Sequence, residues 1–148
     1  MPLLLLLIAT AATGLFAGAA LYVSAVEHPA CVSCGSEVAI REFGPSYHRG
    51  TIMQASLALV GCVAGLAAGW QRRDWATASA ALLLGSVVPF TLIVILPTNK
   101  RLLDPALNAR DPEARRLLAR WGRLHAVRTV VSTVAFAMFL TIFVDATG

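Results

Sequence analysis

The chain has 148 residues, of which 57% are apolar and 14% charged, with a formal net charge of +4 and a mean hydropathy of +0.72. That balance excludes an ordinary soluble domain and identifies an integral membrane protein. The positive charge calls for no nucleic-acid partner, because positive-inside bias and attraction to anionic headgroups account for it.

Pro2 to Val26 holds no charge for 25 residues, which predicts a first span at about 3–26. A secretory signal with Val23-Ser24-Ala25 as its cleavage site is the competing reading. The segment lacks a basic start, however, and its apolar stretch is longer than the roughly 7–15 residues of a signal core, so it is expected to be retained. Gly14 and Gly18 stand four apart, a spacing that lets helix backbones approach closely. The chain then leaves the membrane at Glu27-His28-Pro29 and carries Cys31-Val-Ser-Cys34 in a loop. Thr51 to Trp70 is charge-free for 20 residues and predicts a second span at 51–70, with Gly61, Gly65 and Gly69 as its packing face. Cys62 within it reads as a small buried residue.

After Gln71-Arg72-Arg73-Asp74 comes Ala76 to Leu96, 21 residues without charge, the third span at 76–96. Pro89 removes a backbone donor and is expected to kink it, opening space near Thr91. The span closes in Leu96-Pro97-Thr98-Asn99, a polar run expected of a helix stop. Asp104-Pro105 marks a turn or short helix. Asp111-Pro112-Glu113 then reads as N-cap, first-turn proline and first-turn acid of a long helix that starts outside the membrane. Only 16 uncharged residues follow, Thr129 to Val144, so a fourth span of normal length at 121–144 must draw Arg128, and with it His125, into the hydrocarbon boundary.

The expected fold is therefore all-α: a four-transmembrane-helix bundle, with a short amphipathic or interfacial helix before the fourth span, forming one domain over residues 1–148. Ten of the twelve Lys and Arg lie in the two connections on one side, against Arg72 and Arg73 on the other. The positive-inside rule makes the first side cytoplasmic and puts both termini outside, in what is expected to be a bacterial inner (plasma) membrane. His28, His48 and His125 all fall on the cytoplasmic side.

Trp121, His125, Arg128 and Ser132 are spaced four, three and four apart and form one stripe of the fourth helix. Ionisable groups at that depth face a polar pocket or a partner; the competing reading has Arg128 snorkelling to lipid phosphate and Trp121 in the interfacial aromatic belt. Asn99 and Glu27-His28 emerge at the same depth, so the helix ends offer an imidazole pair, an amide, a guanidinium and a carboxylate. His28, Cys31, Cys34 and His48 also make a zinc-compatible set, although a single CxxC is a weak signal. The two thiols can equally serve redox chemistry, close a disulfide on an oxidising side, or do nothing.

The His28-Pro29 exit, Pro97-Thr98-Asn99, and Trp121-x-x-x-His125-x-x-Arg128-Thr129, in that order across nearly the whole chain, resemble the anthrone oxygenase-like family. The resemblance implies a small four-helix membrane protein. Its characterised fungal relatives oxidise polycyclic anthrones to anthraquinones with dioxygen, without an evident redox cofactor. Carried over position by position, it implies His125 and His28 as catalytic bases and Asn99, Trp121 and Arg128 as substrate-binding groups. Cys31 and Cys34 are not features associated with that family. The expected partners are the lipid bilayer and a hydrophobic small molecule, with a larger membrane complex or a homo-oligomer as further options. Two alternatives remain: a non-catalytic membrane subunit that binds lipid or quinone, and a histidine-ligated metal or haem protein with the imidazoles as axial ligands.

Overall fold

A computed structural model describes residues 1–148. It contains four helices long and apolar enough to cross a membrane: α1 (Pro2–Ser33), α2 (Ser36–Arg72), α3 (Trp75–Leu102) and α4 (Pro112–Thr147). They run up and down in turn. α2 packs against α1 and α3, and α4 closes the bundle against both α1 and α3.

The helices are longer than the spans legible in the sequence. α2 has 37 residues and α4 has 36, or about 55 Å at ~1.5 Å per residue against a hydrocarbon core of ~30 Å. The charge-free stretches begin only at Thr51 and Thr129. Residues 36–50 and the part of α4 ahead of the 121–144 span therefore carry both helices beyond the apolar layer at the same end of the bundle. The segment expected to loop between the first two spans is accordingly helical, interrupted only at Cys34 and Gly35. Gly35 makes that turn at φ +101°, a conformation open to residues without a Cβ. The amphipathic stretch ahead of the fourth span is continuous with α4, and Asp104-Pro105 forms a turn.

Prolines that were expected to mark the helix exits instead lie inside continuous helices. Pro29 and Pro97 each come two residues after a five-residue π-helical turn, Val23–Glu27 and Thr91–Ile95. The N–H groups of His28 and Leu96 reach back to the carbonyls of Val23 and Thr91, five residues away. A proline ring crowds the carbonyl four residues before it and donates no hydrogen bond; widening the preceding turn relieves both problems. Pro89 also lies within a continuous helical segment. Regular α-helix breaks at Ser86, and the Thr91 hydroxyl donates to the Val87 carbonyl at 2.6 Å.

Apolar packing forms three layers. Leu6, Ala68, Ala80 and Phe139 fill the end nearest the termini; Phe16, Ala58, Leu84 and Ala135 fill the middle; Ala39, Phe43, Leu102 and Leu118 fill the protruding end. The close approach in the first layer depends on Gly65, where a Cβ would lie 2.6 Å from Phe139 Cζ and 2.8 Å from Ala81 Cβ. Gly61 and Gly69 are similarly confined, as is Gly14 against Phe136. Gly18 has no neighbour within 4 Å, so the first-span glycine pair contributes one packing position and not two.

At the opposite turn, Arg73 adopts a left-handed conformation at φ 53°, and Asp74 caps α3 by accepting from the Ala76 amide at 3.0 Å and from the Thr77 hydroxyl. The Thr77 hydrogen bond, with the amides beside it, holds the Asp74 carboxyl below its ordinary pKa. A depressed carboxylate pKa contributes stability above the unfolded value of about 3.9 and loses it as pH falls through the folded value. Asp74→Ala is expected to cost about 1 kcal/mol at neutral pH. In thermal unfolding scans of the detergent-solubilised protein, the deficit relative to the parent should shrink at acidic pH; an unchanged deficit would assign the loss to something other than the cap.

Candidate functional site

A cavity of about 190 Å³ lies between the helices at the level where α2 and α4 leave the apolar layer. His28 of α1, Asn99 of α3, and Trp121, His125 and Arg128 of α4 all line it. The two π turns stand immediately ahead of two of these contributions, since His28 and Leu96-to-Asn99 continue directly from them. By adding a residue to the turn, a π segment rotates the succeeding side chains around the helix axis.

His125 is buried, with 3% of its surface exposed. Its Nδ1 is 3.0 Å from Ser24 Oγ, which is 2.8 Å from Thr129 Oγ1, which in turn is 3.1 Å from the Ala20 carbonyl oxygen. These distances close a relay in which every member is satisfied: Thr129 donates to Ala20, Ser24 donates to Thr129, and His125 Nδ1–H donates to Ser24. We assign the tautomer on that count. It leaves Nε2 of a neutral imidazole as an acceptor. Thr129 appears in the sequence only as the residue closing the Trp121-to-Thr129 motif, and Ser24 was not singled out as a site residue. The available signal was that Ser24 precedes His28 by four residues and shares its helix face.

Arg128 does not snorkel. Its Nη2 donates to Gln54 Oε1 at 2.6 Å, and its Cζ sits 5.5 Å from the centre of the Phe16 ring. Gln54, 6% exposed, was also missed, although it is the sole carboxamide in the charge-free stretch Thr51–Trp70. Arg128 Nε and Asn99 Oδ1 are buried without a hydrogen-bond partner. Unpartnered buried polar atoms are costly, and both belong to residues lining the cavity.

The remaining wall is aromatic. Trp121 stacks on His125 with ring centres 4.8 Å apart and 26° between planes, meets His28 at 5.0 Å, and takes the edge of Phe43 at 5.4 Å. The His28 ring fits because Gly122 lacks a side chain: a Cβ there would stand 2.7 Å from His28 Nε2. Ser46 donates to Glu27 at 2.7 Å across the α1–α2 contact.

The candidate metal ligands are dispersed. Cys31 lines the cavity and leans towards Glu42 at 3.8 Å, whereas Cys34 and His48 are exposed and outside it. No group of three or more His, Cys, Asp or Glu side chains is placed to hold an ion, so the donor set does not fit zinc. All three cysteines are free thiols.

Fold and cavity together define a four-span helical membrane protein with a polar and aromatic pocket at one end. The chain belongs to the anthrone oxygenase family, whose model matches residues 43–138. It is 34% identical over 129 residues to an anthrone oxygenase of Aspergillus fumigatus, covering 80% of each chain. With an anthrone oxygenase of Claviceps purpurea it shares 27% identity over 146 residues, covering 88% of this chain and 83% of that one. Both relatives are fungal, so they lend no support to the bacterial membrane expected from the sequence. No solved structure is a significant match. The family match includes Gln54, Asn99, Trp121, His125 and Arg128, and begins after Ser24 and His28.

Proposed function

We propose that this protein oxidises a flat, apolar anthrone-type substrate to the corresponding quinone with dioxygen, within the cavity shared by His125, Arg128 and Asn99. The observation that carries this reading is a buried imidazole, held through Nδ1 by Ser24, lining the same cavity as a buried guanidinium whose Nε–H has no partner, that of Arg128. Its family membership supports the same chemistry.

In an anthrone, the methylene opposite the carbonyl is acidified because its carbanion is a phenolate-like enolate. His125 Nε2 takes that proton, and the negative charge moves to the carbonyl oxygen, where the Arg128 guanidinium stabilises it, with the Asn99 Nδ2–H as a second donor. Trp121 and Phe43 offer aromatic surface to flat rings. The electron-rich carbon passes its electrons to dioxygen and forms a C–O bond to it; the His125 proton completes the hydroperoxide. Loss of water, taking the second methylene hydrogen and the outer oxygen, leaves the second carbonyl. One substrate and one dioxygen give one quinone and one water, so dioxygen is the sole oxidant and the chain's own groups suffice. His28, packed against Gly122 and Trp121, is the second imidazole available to this site.

The basic excess at the cavity end favours a site on the cytoplasmic side, with both termini outside. The substrate class tests the reading most directly. Purified protein in lipid nanodiscs is expected to consume one dioxygen per anthraquinone formed from anthrone, well above the rate in protein-free nanodiscs. Uptake no faster than that background would overturn it.

A further inference from the structure

The cavity is lined by residues of all four helices, yet those with exposed side chains are confined to one edge: Thr51 and Ala55 on α2, and Val88 and Leu92 on α3. Both pairs belong to the charge-free stretches that form the spans. The mouth of the cavity is therefore at lipid depth and faces sideways. Below it, α2 and α3 are held together by Gly61 against Leu84, Gly65 against Ala81 and Gly69 against Ala78. Between Val87 and Ile95 they touch each other little, where regular helix breaks at Ser86 ahead of Pro89 and the Thr91–Ile95 turn.

The opposite, aqueous end is more closely packed. Ala39, Phe43, Leu102 and Leu118 pack into a buried cluster across it. Two ion pairs, Arg101 with Glu113 and Arg110 with Glu37, tie the surrounding segments together. The residues lining the cavity at that end are buried or only partly exposed. An apolar solute that partitions into the bilayer meets an apolar opening directly; a solute in water meets a packed end.

We propose that the gap between α2 and α3 is a lateral portal through which a flat apolar molecule dissolved in the bilayer reaches the cavity, with Ala55 and Val88 setting its width. The proposal rests on the reading of the cavity as a site for such molecules. A native thiol lining the cavity allows the route to be tested apart from the chemistry. With Cys34→Ser and Cys62→Ala in place, Cys31 is the sole thiol.

In phosphatidylcholine nanodiscs, Cys31 labelling by N-pyrenylmaleimide, a flat reagent that partitions into lipid, reports passage through the portal. Labelling by a small charged maleimide reports passage from water. Ala55→Phe and Val88→Phe, both at exposed positions in the mouth, are each expected to slow pyrenyl labelling by about tenfold while leaving the charged reagent's rate unchanged. Leu59→Phe, one turn below on α2, exposed and outside the cavity lining, is expected to change neither rate. Pyrenyl labelling unaffected by both mouth variants, or slowed equally for both reagents, would overturn the portal. Labelling rates report the route independently of the chemistry, so failure of the portal and failure of the proposed oxidation are distinguishable.

Discussion

Replacing His125 with alanine is expected to lower anthrone-dependent oxygen uptake by about 10²- to 10⁴-fold, the usual contribution of a positioned general base. The expectation rests on geometry. His125 is 3% exposed and held through Nδ1 by Ser24 at 3.0 Å, so its other nitrogen is presented in a fixed tautomer. Ser24→Ala leaves the imidazole in place but removes the acceptor for Nδ1–H, which allows the ring to adopt either tautomer. It should cost less, roughly tenfold, because the ring remains stacked on Trp121 while the hydrogen-bond chain is broken. Helical circular dichroism in nanodiscs checks that both variants fold. Uptake by His125→Ala equal to the parent's would remove the imidazole from the mechanism, and a Ser24→Ala loss as deep as that of His125→Ala would mean the serine does more than orient the ring.

The spans were legible because lipid imposes a single strong rule: charge-free runs of about 20 residues must be helices. Segments just outside the membrane obey no such rule. Residues 27–50 contain Pro29, Gly35, Gly44, Pro45 and Gly50, which argue locally for a loop. They are helical because Ala39 and Phe43 are buried against Leu102 and Leu118, a tertiary gain that outweighs local propensity. The π turns ahead of Pro29 and Pro97 were likewise invisible, since a proline in sequence reads as a stop and not as the relief of a clash. Within the site, the α4 stripe came from helical spacing alone, and the membrane depth of His28 and Asn99 brought them to the same level. Ser24 and Gln54 were out of reach because their partners lie 101 and 74 residues away. A buried guanidinium demanded an acceptor, but no local pattern said which helix would supply it.

Arg128→Met is expected to lower kcat by about 10²- to 10³-fold, the range for removing a preorganised group that stabilises a developing oxyanion. Methionine keeps much of the stem and its contact with Phe16 while deleting every donor. The two readings of this residue differ in where the guanidinium sits. A side chain that served only to reach lipid phosphate would turn its head outward, and its loss would touch membrane insertion and not turnover. Instead Nη2 is engaged with Gln54 at 2.6 Å and Nε is buried without a partner beside the cavity. That arrangement uses the fork of the guanidinium, one edge fixed by the protein and another left for a ligand. Arg128→Lys therefore should not restore the parent: an ammonium carries the charge but lacks a planar fork that can hold Gln54 and meet an oxyanion in fixed directions. An intermediate kcat is expected for lysine, about tenfold below the parent, with KM changed less than kcat because the charge develops after binding. Steady-state oxygen uptake over a range of anthrone concentrations separates the two constants. Full activity in Arg128→Met, or a defect confined to KM in both variants, would reassign Arg128 from stabilising the enolate to holding the ground-state substrate.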